Sequence, residues 1–396
     1  MGSHHSKTAV TCPVADTSND PTIVPVVGNL TFHTLSIIIG GGCAVLASIV
    51  AIFLIIQHAT HFSNPAEQKQ IIRILCIIPS FALISFLSIW LSSAAEYLKP
   101  GLSVVEAFPL AAFFLLMSTY CVPDEDLNSR ATFFSQLQLQ NRKGVAQGGG
   151  SLGWYRQRSF LVLQFIPVSI LMWIVAVAAL ATGHFCSTSN NIHFAHIWVT
   201  VITTISTIVA IMSILHFYRR MKPTLQPHKT MAKLISFKLI VFLNFLQTLV
   251  FSFLTSSSRL KPTAHLSASD ISTGLPNLLL CLEILLFTPL FIYAYSSSPY
   301  ILRGHARSTP SAEYYMGGVG GLSALWDALN IVDIALALFT GSKTKISSRA
   351  SGAGRMSRGG YAIPLGRESP EYGPDEMGRR VYKPRGSLQH LRDEEA

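Results

Sequence analysis

Three charged residues stand inside long apolar stretches of this sequence: Glu106, Lys238 and Glu283. A charge in hydrocarbon is expensive and tends to mark an ion, proton or substrate path. Glu283 has leucines on both sides for several residues and no easy route to water. It must be protonated, paired or hydrated. Counting 1.5 Å per residue from the same face puts Lys238 about 24 Å deep and Glu283 about 18 Å deep. That difference is within reach of two side chains, so a Lys238–Glu283 pair is expected. Asn244 and Gln247 follow Lys238, and Asn277 precedes Glu283. With Glu106 these six residues are the candidate lining of a hydrated substrate pathway: groups that hydrogen-bond a solute or pass a proton.

Other chemistries are poorly served. His58 and His61 fall at one end of the first apolar stretch, and His184, His193 and His196 at the opposite face. A bilayer core of about 30 Å separates the two groups, so they cannot share a metal. The six cysteines form no C-x-x-C, and there is no G-x-S-x-G or Walker sequence. Gly317–Gly321 lacks the Lys-Ser/Thr of a phosphate loop and reads as a flexible linker. Neither an enzyme, a metal nor a cofactor is expected. The net charge of +10 goes to orienting loops rather than to nucleic acid.

The elements that position these residues follow from composition. Of the 396 residues 49% are hydrophobic and 13% charged, with a mean hydropathy of +0.42. Soluble domains carry about 25% charged residues. Seven stretches have the roughly 20 apolar residues that a span needs: 32–57, 71–93, 102–120, 160–182, 194–217, 231–254 and 271–295. Hydrocarbon offers the backbone no partners, so each must be a helix. The expected fold is all-α, a polytopic seven-transmembrane helix bundle. Twenty-five Lys and Arg fall on one side and four on the other. The positive-inside rule then puts the N-terminus outside or in a lumen and the C-terminus in the cytosol. Residues 1–30 form a non-cytosolic segment, 31–300 the membrane domain and 301–396 a cytosolic tail. Cys12 and Cys186 share the oxidising side and are a candidate disulfide. A G-protein-coupled receptor is disfavoured: span three lacks Asp/Glu-Arg-Tyr and span seven lacks Asn-Pro-x-x-Tyr.

An eighth apolar stretch, 322–339, contains Asp327, Asn330 and Asp333. A central Asp costs about 2.5–3.5 kcal/mol on the insertion scale, so the stretch reads as a cytosolic or surface helix. Leu322, Leu325, Trp326, Leu329, Val332, Leu336 and Phe339 recur at helical spacing. The polar face has no Lys or Arg, unlike a membrane-surface helix. Trp326, Leu329 and Asp333 are therefore candidate contacts for a protein groove with a basic rim. The remainder, 340–396, is rich in Gly, Ser, Pro and Arg and reads as disordered.

Four stretches carry a resemblance to a known family. They are 64–75 (NPAEQKQIIRIL), Glu106-Ala107-Phe108 with 113–116, 233–243 (KLISFKLIVFL) with Gln247, and Gly274-Leu275-Pro276 with Cys281-Leu282-Glu283. In this order the chain resembles the organic solute transporter alpha-subunit family, including its fungal vacuolar and animal transmembrane-protein-184 relatives. The resemblance implies seven spans, an integral membrane protein of the vacuole or another endomembrane, and transport of an organic solute. It places the family's polar positions on Glu106, Lys238, Gln247 and Glu283. One departure is Val105, where the family usually has Tyr. The resemblance also implies a second role. Trp326-Asp327-Ala328-Leu329 fits a W-x-x-L core, with which tails of fungal relatives dock the ubiquitin-like autophagy modifier.

Overall fold

The computed structural model describes residues 24–122, 127–137, 151–187, 191–256, 262–302, 315–335, 337, 372–374 and 380–382. Thirteen α-helices with complete bounds lie among these described residues. They are α1 (Phe32–Thr60), α2 (Pro65–Leu75), α3 (Ile77–Trp90), α4 (Ala95–Leu98), α5 (Gly101–Cys121), α6 (Leu127–Gln136), α7 (Leu152–Leu163), α8 (Phe165–Ala181), α9 (Ala195–Arg220), α10 (Lys222–Leu225), α11 (Thr230–Ser256), α12 (Leu275–Ala294) and α13 (Leu322–Leu329). Among them lie seven helical runs long and apolar enough to cross a membrane, one for each expected span. Span two starts at Pro65 rather than 71, and span four at Leu152 rather than 160. The helices outrun the apolar stretches because a polar turn outside hydrocarbon still satisfies its own backbone. At Pro65 the start is fixed locally: Asn64 Oδ1 accepts from the Glu67 N–H at 3.4 Å, and Gln68 Oε1 accepts from the Asn64 N–H at 2.9 Å.

Prolines set the breaks. Cys76 separates α2 from α3 and Gln164 separates α7 from α8, each three residues before a proline, Pro79 and Pro167. Proline removes one N–H and clashes with the carbonyl of the preceding turn. Pro276 opens α12 behind a π-helical turn, Asp270–Gly274. Each of these runs therefore crosses as two pieces, and α2 is a short half-helix with its own environment.

The centre of the bundle is α5, buried along most of its length from Glu106 to Cys121. It packs on α2, α8 and α3, while α12 packs on α1, α3 and α11. Phe113, Phe114, Phe217, Phe237 and Phe291 are fully buried between them. Gly40 and Gly41 let α1 approach its neighbours. A Cβ there would meet Ile89 and Phe86 at 2.9 Å, whereas Gly42 faces open space. The outer sides of α1, α8 and α9 expose Ile49, Phe53, Leu171 and Ile205, as a lipid-facing surface should.

Cys186 is disulfide-bonded; its expected partner, Cys12, lies outside the described residues. Cys43, Cys76, Cys121 and Cys281 carry free thiols. The tail departs from expectation. The glycine stretch is a seat rather than a flexible linker: the Met316 N–H donates to Phe62 O at 2.8 Å, and a Cβ on Gly317 or Gly321 would run into the Ala59 backbone. The apolar stripe over 322–339 is not one helix, because α13 stops at Asn330, whose ψ is 105°. Residues 345–396 form a separate unit. In it Tyr372–Pro374 pairs antiparallel with Arg380–Tyr382, inside a stretch expected to be disordered.

Candidate functional site

A cavity of about 580 Å³ opens at the end of the bundle that carries the basic loops. Its walls come from the start of α2 (Glu67), the end of α5 (Tyr120), the turn before α11 (His228, Lys229), the first turn of α11 (Lys233) and the end of α12 through Tyr300. Each wall is a helix end, where side chains leave the packed core while the backbone remains fixed.

A hydrogen-bonded array lines it. Lys233 Nζ donates to the Tyr120 hydroxyl. The Tyr300 hydroxyl donates to Glu67 Oε2 at 2.6 Å, and the Tyr295 hydroxyl to Lys233 O at 2.8 Å. His228 stacks on Tyr120 at 4.0 Å between ring centroids, and Lys229 Nζ lies 4.3 Å from the Tyr293 centroid. Burial against Tyr120 holds His228 below the ordinary histidine range; Glu67 pulls the other way, and the charge of Lys233 lowers it further. The cavity thus presents two ammonium groups and one carboxylate around a neutral imidazole. Lys229 has φ of 51°, the single non-glycine positive φ among the described residues. Behind the cavity, His58 is fully buried, with Nε2 2.9 Å from Tyr295 O, and Gln68 Nε2 donates to His58 O and His61 O. These histidines tie α1 to α12.

None of the six residues expected along a pathway lines this cavity. They separate into two groups deeper in the bundle. Lys238 does not pair with Glu283; its ammonium bonds Glu106 Oε1, both side chains being largely buried. The reason is azimuth. At 100° per residue, Lys238 and Gln247 stand about 180° apart on α11. The Lys238 side of α11 faces α5, where neighbouring Phe237 meets Phe113 at 5.6 Å. Gln247 instead lies beside Glu283 on α12. Glu283 Oε2 and both polar atoms of the Gln247 amide complete no hydrogen bond of ordinary geometry. Asn277 is buried, with Nδ2 donating to Thr273 O at 2.8 Å, and Asn244 is half-buried.

The expected partner-binding residues also divide. Trp326 and Leu329 are 75% and 71% exposed, whereas Asp333 is engaged within the chain. Arg73, buried on α2, donates Nη1 to Asp333 Oδ2 at 2.9 Å and Nη2 to Asp333 Oδ1 at 2.8 Å. Its Nε reaches Ala328 O at 2.7 Å, and Nη2 also bonds Asn330 O. Gln70 Nε2 adds a bond to Asp333 Oδ2 at 3.2 Å, and Lys69 stands 3.7 Å from the same atom. The basic residues opposite Asp333 belong to α2 of the same chain.

Sequence reasoning did not single out Glu67, Tyr120, His228, Lys229, Lys233 or Tyr300 as a site. Lys229 enters only as an orienting charge, Lys233 as an orienting charge and the first residue of a family stretch, and Glu67 only as part of a family stretch. A usable signal was present: Tyr120 and Tyr295 close spans three and seven at the basic face.

A family model described as organic solute transporter Ostalpha matches residues 36–300. The chain is similar to a transmembrane protein 184 homolog of Dictyostelium discoideum, 27% identical over 283 residues, covering 68% of this chain and 54% of that protein. It is also similar to Protein LAZ1 homolog 1 of Arabidopsis thaliana, 24% identical over 278 residues, covering 65% of this chain and 56% of that one. The chain thus spans about half the length of these curated relatives. No solved structure matches it.

Proposed function

The chain belongs to the organic solute transporter Ostalpha family, and on that premise we propose that it carries an organic anion through the membrane, entering or leaving by the cavity at the basic end. The observation that carries this reading is the charge of the lining. Lys229 and Lys233 outnumber Glu67, and four tyrosines add flat apolar faces beside hydroxyl groups. Such a mixed wall suits a solute with an anionic head and an apolar body. By the charge asymmetry of its loops, this end faces the cytosol. By resemblance, the membrane is vacuolar or another endomembrane.

Lys233 also begins a polar line along α11. Asn244 and Gln247 lie about 20° and 40° from it in azimuth, and Gln247 is about 21 Å further on. There the unbonded Gln247 amide and Glu283 carboxyl meet. Unsatisfied polar atoms at membrane depth cost several kcal/mol each, so a passing solute or water would relieve them. Binding tests the reading at its entrance. Titrating purified protein with an amphipathic organic anion, and with a cation of the same carbon skeleton, should give heat only with the anion. Lys233→Met should abolish it. Equal binding of both ions would refute the assignment.

A second reading, docking of the ubiquitin-like autophagy modifier by the tail, draws on the exposure of Trp326 and Leu329. With Asp333 held by Arg73, only two of its three expected contacts are available in this conformation. Capture of that modifier by the full-length protein, lost on Trp326→Ala, tests it.

A further inference from the structure

We propose that residues 315–337 are inserted into the bilayer leaflet at the basic end of the bundle, with Leu322, Trp326, Leu329 and Ile331 turned to lipid. The inference does not rest on the transport reading.

Depth is the first observation. Ile334 and Ala337 are buried in a cluster with Ala111 and Leu115 of α5. Leu115 lies six residues before the Cys121 end of that span and Ala111 ten, or about 9 and 15 Å deep. Arg73, which bonds Ala328, Asn330 and Asp333, lies eight residues from the start of its helix, about 12 Å along it, and just inside the apolar stretch that begins at residue 71. Gly321 sits on Ala59, at the very end of α1. From Gly321 to Ala337 the segment therefore descends beside α1, α2 and α5 rather than lying across their ends.

The backbone is treated as hydrocarbon demands. Where α13 breaks, two carbonyls leave the helical pattern, Ala328 O and Asn330 O. Both are taken by Arg73, and Asn330 Oδ1 accepts the Val332 N–H at 3.1 Å. Non-helical backbone persists at membrane depth when protein groups satisfy it. The one carboxylate at this level, Asp333, is paired with the one guanidinium. Asp327 lies a turn nearer the helix ends, where α1, at 29 residues, overhangs a 30 Å core.

The outer face is the third observation. Leu322, Trp326, Leu329 and Ile331 are 68%, 75%, 71% and 50% exposed. There is no Lys or Arg from residue 315 to 342 to hold the segment in water. The helix α13 packs against α1, whose residues Ile52, Phe53 and Ile56 are themselves exposed apolar side chains. Trp326 then stands where tryptophan concentrates, at the interface. A soluble partner would have to draw the segment out and break the Arg73–Asp333 contact.

Fluorescence quenching of the full chain in proteoliposomes tests this. The emission of Trp326 is the difference between wild type and Trp326→Phe. Ile331→Trp on the Trp326→Phe background reports a deeper point. Both changes are at exposed positions, and circular dichroism checks that the bundle is retained. Lipids brominated on their acyl chains should remove at least half of both signals, and iodide in the buffer under a tenth. Strong quenching by iodide at either position, or none by brominated lipid, would overturn the proposal and return the face to a soluble partner.

Discussion

Arg73 and Asp333 are 260 positions apart in sequence and meet through two parallel hydrogen bonds of 2.9 and 2.8 Å. The pair fastens the tail to α2. One side of that half-helix carries Gln70 and Arg73 towards the tail, and another carries Glu67 and Ile71 into the cavity wall. Removing one partner of a buried pair leaves an uncompensated charge, at about 3–5 kcal/mol. Asp333→Ala is expected to lower thermal stability in detergent, and Arg73→Met with Asp333→Ala to cost less than the sum of the two single losses. Thermal unfolding of the two single variants and the double variant measures the coupling. Additive losses would show that the contact contributes nothing specific.

The Lys238–Glu106 pair gives a cycle of the same kind and a control that discriminates. Lys238→Met and Glu106→Gln should be strongly non-additive, with a coupling of about 0.5–3 kcal/mol. Lys238→Met and Glu283→Gln should be additive, because α11 turns Lys238 away from α12. Coupling in the second cycle and none in the first would reverse the assignment of partners.

The cavity has a pH signature with a definite sign. Burial keeps His228 below the ordinary histidine range, so its contribution of a third positive charge comes only at acid pH. Anion binding should therefore strengthen as the pH falls below 6.5, provided that the anion remains ionised. His228→Phe keeps the stack on Tyr120 and should remove the rise. A rise centred near pH 6.5, or one that survives in His228→Phe, would contradict this placement of the imidazole.

Much of the fold was legible because hydrocarbon allows so few solutions. Seven apolar stretches had to be seven helices, whereas the breaks at Cys76 and Gln164 could not be told from the prolines alone, since Pro109 and Pro289 leave α5 and α12 continuous. The pairing of Lys238 was misjudged because depth along a span says nothing of azimuth, and helix order around the bundle is not written in hydropathy. The Arg73–Asp333 contact was hidden for a related reason. Asp333 was weighed alone while its counter-charge, Arg73, was counted as an orienting residue, and 260 intervening positions hide the pairing. The cavity residues escaped notice because Lys229, Lys233 and Glu67 sit at span ends, where a charge costs little and a solvated role suffices. Only the convergence of three such ends, around Tyr120 and Tyr300, distinguishes a site from a surface.

Transport itself is tested most directly by uptake of an amphipathic organic anion into proteoliposomes holding the full-length protein. Wild type should accumulate the anion above protein-free vesicles and leave the matched cation outside. Lys233→Met should reduce the initial rate at least about tenfold, the loss of about 1.4 kcal/mol that one charge-assisted contact supplies. Glu283→Gln should alter the rate while leaving binding at the cavity intact. No uptake of the anion by wild type, or equal uptake by wild type and Lys233→Met, would contradict the account.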